Sequence, residues 1–402
     1  MTHLTGRYFG QSGPLFWLYI RTSLLTLVTL GIYRFWAKTR IRKYVWSASA
    51  GGEDSFEYTG TGLEKFLGFL VAIVILAIFL GFLNLILAFI GLNVIGVFEG
   101  SAADVTQIIV IYANFIALIP LFLFAAYRAR RYKMARTRWR GLRFGMDQGA
   151  WGYVARALGH GLLAILTLGL LLPRATFYLE KYMVDRSWYG DAKFSQGGKW
   201  TALYPGLKHV AIAFAIIIVG AGLGVALNAP GLAGLAGFVG YIWMLIGFVY
   251  YRVSAFNYMM RERRLDGVVT FDAQAETGRV VTIALIGMLA VFGAMIAAGL
   301  VFLLVGMAVG FGAAFSGGPV DPDALGAGIF VLSAVGVLLY AAVLLMIGGI
   351  NLVMITQKVI AHVIASVTVA NAPHLDQIQQ RAADTGADAE GFADALDIGG
   401  AI

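Results

Sequence analysis

Five long stretches of this sequence contain no Asp, Glu, Lys or Arg: residues 67–98, 105–127, 210–251, 280–320 and 325–357. A helix needs about 20 apolar residues to cross about 30 Å of hydrocarbon, so each stretch can span a bilayer. The third is long enough for two spans, and Asn228-Ala229-Pro230 in its middle reads as a turn. Six transmembrane helices are therefore expected. Composition excludes a soluble alternative. Hydrophobic residues make up 59% of the 402 residues and charged residues 13%, where ordinary globular chains carry about 45–50% and about 25%.

The charges that remain are segregated. Every Lys and Arg falls in residues 1–66, 128–209, 252–279 or 358–402, while the connections 99–104 and 321–324 carry only Glu99, Asp104, Asp321 and Asp323. By the positive-inside rule the basic regions and both termini face the cytoplasm, and the spans form three hairpins. The same rule accounts for the net charge of +8 without nucleic acid as a partner. The absence of cysteine removes disulfides, thiolate metal sites and a thiol nucleophile. Residues 1–13 are polar and do not resemble a secretory signal.

Two further apolar segments, 14–33 and 153–172, compete as spans, but Arg21 interrupts the first, and Arg156 and His160 the second. An Arg at mid-bilayer costs about 2.5–3.5 kcal/mol on insertion scales. Both segments are expected to be interfacial or re-entrant helices.

The chain also repeats. Val28-Thr29-Leu30-Gly31 returns as Leu166-Thr167-Leu168-Gly169, and at the same offset Lys43-Tyr44 meets Lys181-Tyr182 and Phe56 meets Phe194. After each basic helix a Tyr precedes a Phe by twelve or thirteen residues: Tyr44 and Phe56, Tyr132 and Phe144, Tyr182 and Phe194, Tyr258 and Phe271. The alternation around these Phe residues predicts short strands or hairpins at the cytoplasmic ends of the helices. The expected fold is thus an all-α polytopic membrane protein with six transmembrane helices in three hairpins, plus interfacial or re-entrant helices and small cytoplasmic β elements. Its organisation is a first repeat at 1–143 with hairpin 67–127, a second at 144–270 with hairpin 210–251, a third hairpin (280–357) within 271–373, and an acidic cytoplasmic tail at 374–402.

The segment from Thr29 to Tyr44, with Trp36-Ala37-Lys38-Thr39-Arg40 at its centre, resembles the signature of the YjgN-like family of bacterial inner-membrane proteins. Phe56-Glu57-Tyr58-Thr59-Gly60-Thr61-Gly62 resembles the family's next motif, and the run from Glu390 to Gly399 its acidic ending. In the second basic helix Pro173-Arg174-Ala175 and Tyr178 depart from the pattern. The resemblance implies a multi-pass protein of the bacterial inner membrane. It carries over no established activity and no catalytic residues.

Two sets of residues are candidates for binding. The first is cationic and aromatic: Arg21 and Arg156 at matching positions of the repeat, then Trp36, Arg40, Arg42 and Lys43, then Arg128 and Arg131. Such clusters attract anionic lipid head groups, although snorkelling and ordinary interfacial anchoring explain them as well. The second set is the intramembrane amides Asn84, Asn114 and Asn351, which bond helix to helix more often than they bind a substrate. The sequence holds no His-Glu-x-x-His, Gly-x-Ser-x-Gly or Walker lysine loop. The expectation is therefore no enzyme, no cofactor and no metal. A transporter or channel-like protein for a small or lipidic anion is expected, with a non-transporting scaffold or anionic-lipid-binding module as the alternative. Membrane lipids are the expected partners, with a possible homo-oligomer. A transporter predicts a polar path between hairpins, and a scaffold predicts a dry, glycine-packed bundle.

Overall fold

The structure is a computed structural model that describes residues 3–90, 105–315 and 322–381. Most of the expected outer connections, and the acidic tail beyond residue 381 with its Glu390–Gly399 motif, lie outside the described residues.

Ten short strands organise the molecule. They are β1 (His3–Tyr8), β2 (Ser49–Gly51), β3 (Asp54–Tyr58), β4 (Thr137–Trp139), β5 (Leu142–Met146), β6 (Ser187–Tyr189), β7 (Ala192–Gln196), β8 (Arg263–Leu265), β9 (Val269–Ala273) and β10 (Val367–Ala370). They pair antiparallel into one closed barrel, in the order β1-β10-β9-β8-β7-β6-β5-β4-β3-β2. This corrects the all-α expectation: the separate β elements are one ring. Four β-hairpins make most of it. The fifth junction joins the ends of the chain, with Leu4 opposite Val369 on β10 and Arg7 opposite Ala50 on β2. Closure satisfies every strand edge, which an open sheet of three- to six-residue strands leaves bare.

The hairpin turns explain why these segments form strands. Arg140 (φ 49°) and Gly141 (φ 79°) both take positive φ between β4 and β5, the backbone that a two-residue turn of matching twist requires. Along β7 burial peaks at every second residue, and Phe56, Phe144, Phe194 and Phe271 pack against the interior core.

Helices leave the ring in pairs. The pair α1 (Ser12–Val28) and α2 (Arg34–Ala48) runs from β1 to β2, and the pair α5 (Ala150–Leu166) and α6 (Leu172–Val184) runs from β5 to β6. Between these two lie α3 (Gly62–Phe89) and α4 (Val105–Ala135). Next come α7 (Lys208–Ala226) with α8 (Pro230–Arg261), and finally α9 (Thr277–Phe315) with α10 (Pro322–Ile350), which continues through a π turn into α11 (Gln357–Ala365).

Six helices among the described residues are long and apolar enough to cross a membrane: 62–89, 108–135, 200–226, 230–261, 277–304 and 333–365. The α1–α2 and α5–α6 pairs are not among them. Because β1 neighbours β2 and β5 neighbours β6, both arms of each pair must cross or neither can. The returning arms carry Arg34, Lys38, Arg40, Arg42 and Lys43, or Arg174, Glu180 and Lys181, charges that make a crossing costly. Each is a helical hairpin that turns at Leu30-Gly31 or Leu168-Gly169. The φ values are 49° and 93° at the first tip and 50° and 87° at the second. Thr29 and Thr167 stitch the tips alike, each hydroxyl donating to the carbonyl four residues back at 2.7 Å. Leu30 and Leu168 stand almost fully exposed at these tips.

The spans are packed unevenly. In α7–α8 small residues bring the backbones together, with Gly224 lying against Ala233 and Gly247 against Val210, as close membrane packing requires. In α3–α4 the contact is polar: Asn84 Nδ2 donates to Asn114 Oδ1 at 3.0 Å, and Asn114 Nδ2 donates back at 3.2 Å. Only 6% of the apolar core of the first and fifth spans is buried within the chain.

Candidate functional site

The interior of the barrel is an apolar lumen of about 400 Å³. Its wall is built from facing residues of successive strands. Phe56 pairs with Trp139, Phe144 with Tyr189, Phe194 with Leu265, and Phe271 with Val369. The Trp139 indole donates to Asp54 O at 2.9 Å, and the Tyr189 hydroxyl donates to Trp139 O at 3.1 Å. Burial pushes the Tyr189 hydroxyl up to about 12, so it stays a neutral donor. With those polar ends satisfied, the aromatic faces present hydrocarbon to the lumen. Arg263 is the one charged residue on the wall.

One end of the lumen is closed by the chain itself. After β10 a 3₁₀ turn (Ala372–Gln377) crosses the mouth, and Leu375 and Ile378 bury against the Trp139 and Tyr189 cluster. Polar contacts hold this strap in place. Asp376 pairs with Arg140 at 3.0 Å, His374 meets Asp266 at 3.1 Å, and Gln379 O accepts from Asp191 N while Gln379 N donates to Asp191 Oδ1. Gly190, at φ 55°, leaves no room for a side chain beneath Gln379 O.

Beside the lumen, among helix ends, lies a second cavity of about 820 Å³, the vestibule. Phe56, Phe144 and Ile364 line both spaces. The vestibule wall carries Arg130, Lys133 and Arg252, and none of its lining residues is acidic. At the boundary sits an ion cluster. Glu180 on α6 accepts from Arg130 Nη1 at 2.7 Å and Nη2 at 2.9 Å, and from Arg263 Nη2 at 3.1 Å. The three side chains are only 30%, 26% and 19% exposed, in the order Arg130, Glu180, Arg263. Burial pushes the Glu180 carboxyl up, but the two guanidiniums outweigh it and hold it down to about 2. Burial lowers Arg263. Gln196 flanks the cluster, its Oε1 3.4 Å from Arg263 Nε and its Nε2 donating to Met259 O.

The residues singled out from sequence lie elsewhere. Arg21 is exposed on α1, and its guanidinium makes no ion pair among the described residues. Arg156, on the matching α5–α6 pair, donates to Gly152 O and lies over the Tyr182 ring at 4.5 Å. Trp36 stacks on Tyr33 and packs on Phe66, Arg40 lies over Tyr33, and Lys43 is exposed. Arg42 is buried, with Nη1 donating to the Tyr58 hydroxyl at 3.1 Å. With Arg34 and Lys38 it borders a separate cavity of about 690 Å³ between α1, α2 and α10. Arg128 and Arg131 line a smaller hollow of about 320 Å³, where Arg131 Nε donates to Met146 O. Asn84 and Asn114 bond to each other, and Asn351 is exposed where the π turn begins. None of these residues lines the lumen or the vestibule. Sequence reasoning missed Glu180 and Arg263. One signal was available: Glu180 is the only acid in α6.

Fold and cavity together define a multi-span membrane protein whose helices are gathered by a closed strand barrel enclosing an apolar lumen. The chain belongs to the family described as "Bacterial protein of unknown function (DUF898)", whose model matches residues 3–395. It is similar to the inner membrane protein YjgN of Salmonella typhimurium (strain LT2), with 26% identity over 150 residues. That match covers 37% of this chain and 33% of YjgN, so the likeness spans about a third of each. No solved structure matches the chain.

Proposed function

We propose that this protein is a multi-pass inner-membrane transporter or channel-like protein for a lipidic anion, and that cargo enters the barrel lumen from the bilayer through the cationic vestibule. The observation that carries the reading is the shared wall of the two spaces, since Phe56, Phe144 and Ile364 line both. A pocket of this kind, largely apolar with a few convergent polar groups, is the usual form of a small-molecule site. Its polarity is graded, with hydrocarbon inside the ring and positive charge at its entrance, which suits an amphipath with an anionic head. Weak burial of the spans leaves lipid close to the vestibule, and the same weak burial favours association with further copies. The segregation of Lys and Arg supports a cytoplasmic barrel and cytoplasmic termini. The matching tips at Thr29-Leu30-Gly31 and Thr167-Leu168-Gly169 support an internal repeat. The reading is one of binding and movement, not catalysis.

A second reading, a lipid-binding module that moves nothing, is favoured by α7–α8, where glycines bring the two helices into close contact. One assay separates them. Vesicles containing the protein and NBD-labelled lysophosphatidylglycerol are treated with dithionite, which bleaches only the outer leaflet. A carrier lets the protected half bleach as well, and Ile364→Trp, which puts an indole between the two spaces, restores protection. Protection unchanged by wild-type protein overturns the transporter reading, and tight binding of the lysolipid in that case supports the module. Orientation is tested with Ser195→Cys in this cysteine-free chain: labelling from the periplasm overturns a cytoplasmic barrel.

A further inference from the structure

The neck between vestibule and lumen holds more positive charge than it neutralises. Two guanidiniums share one carboxylate, leaving one surplus charge in a mostly enclosed place. A surplus buried cation is costly unless a counter-charge joins it. Arg252 on the vestibule wall adds a further cation. Arg263 reaches the cluster from the lumen wall and Arg130 from the vestibule wall, so the surplus lies where head group and chain of an amphipath would meet.

We propose that Arg130, Glu180 and Arg263 form the head-group site for a single-chain monoanion, with Glu180 as a resident counter-ion that sets the site's capacity to one negative charge. This rests on the reading of lumen and vestibule as a cargo cavity, and it narrows the cargo class. A lumen of about 400 Å³ lies near the lower end of the roughly 300–1,000 Å³ that small-molecule pockets span. It takes one chain and not the paired chains of a phospholipid. A carboxylate suits the site, because two guanidinium forks match its two oxygens. A monoanionic phosphodiester carries the same charge and is the second form to compare.

The test is competition against a fluorescent probe, 1-anilinonaphthalene-8-sulfonate, bound to the full chain in lipid nanodiscs at pH 7.5. The competitors are decanoate, lysophosphatidylglycerol, decanol and decyltrimethylammonium. Wild-type protein is expected to prefer decanoate to decanol by about tenfold or more, the scale of one charged hydrogen bond. Arg130→Gln, which makes the cluster neutral, is expected to abolish that preference. Arg130→Gln with Glu180→Gln restores one surplus charge and is expected to restore the preference, which a merely structural role does not do. Equal binding of decanoate and decanol by wild-type protein overturns the head-group site and leaves the lumen reading intact. If no competitor displaces the probe, the lumen reading falls and this proposal with it. A preference for lysophosphatidylglycerol over decanoate keeps the site and assigns a phosphodiester head. Should the variants fail to fold, the wild-type ratio alone decides.

Discussion

Phe56 lies directly opposite Trp139 across the β3–β4 ladder, their rings 5.7 Å apart and inclined by only 23°. The pair joins the hairpin that follows α1–α2 to the one that follows α3–α4. The Trp139 indole also fills the space that a side chain on Gly51 would need, so one residue packs three strands.

Trp139→Ala is therefore expected to be among the costliest lumen substitutions, at about 3–5 kcal/mol. It removes a side chain only 7% exposed, its bond to Asp54 O and the stack on Phe56. Thermal unfolding in mild detergent checks this. A loss no larger than that of Phe9→Ala, an exposed aromatic next to β1, shows that the ring is not held together at this position.

The strap over the barrel mouth depends on Gly190. Alanine there strains a positive φ and meets Gln379 O. Gly190→Ala is expected to lift residues 378–381 and to speed tryptic cleavage after Arg381, whose guanidinium lies 4.3 Å from the Trp188 ring centroid. Cleavage kinetics indistinguishable from wild type contradict the strap.

Acid weakens the neck. The Glu180 carboxyl is held at about 2 against 4.5, so its contribution is present above about 4.5 and disappears as pH falls towards 2. At about 1.36 kcal/mol per unit the contribution is roughly 3 kcal/mol. Denaturant melts between pH 5 and 2 should show wild-type protein losing stability through that window. Glu180→Gln should lose less there, starting from a lower value at neutral pH because two guanidiniums are left without their carboxylate. Parallel slopes for the two proteins refute the assignment.

Inside the bilayer the Asn84–Asn114 pair is expected to couple by about 0.6–1.7 kcal/mol. Asn84→Leu or Asn114→Leu alone strands one amide, whereas the double substitution removes both, so the double-mutant cycle should show non-additivity of that size. Additive losses mean that the two amides do not depend on each other.

The membrane part of this fold was legible because transfer of an apolar stretch into lipid is a local sum over about 20 residues. The six spans and the turn at Asn228 follow from such local terms. The strands were visible around Phe56, Phe144, Phe194 and Phe271, but their union was not. With only three to six residues each, they record alternation without recording a partner, and the pairing of Leu4 with Val369 links positions at opposite ends of the sequence. The all-α class was overturned for this reason. The site was hidden by the same distance. Arg130, Glu180 and Arg263 are ordinary charges in basic segments until the ring brings α4, α6 and β8 together. Arg21 and Arg156 stood out by interrupting apolar runs, a property that marks depth in the membrane and not proximity to a cavity.

Ring closure also sets an order of events during synthesis. The first half of β1 (His3–Thr5) pairs with β10, while its second half (Gly6–Tyr8) pairs with β2. The ribosome delivers β1 first, and the gap between β1 and β9 stays open until the sixth span has been threaded and β10 emerges behind it. Until then the nascent protein carries two bare strand edges at the membrane surface, and no lumen exists. Translocation of the last helical pair is thus the step that turns a string of separately inserted hairpins into a single body, so an insertion failure late in the chain undoes the architecture of its beginning.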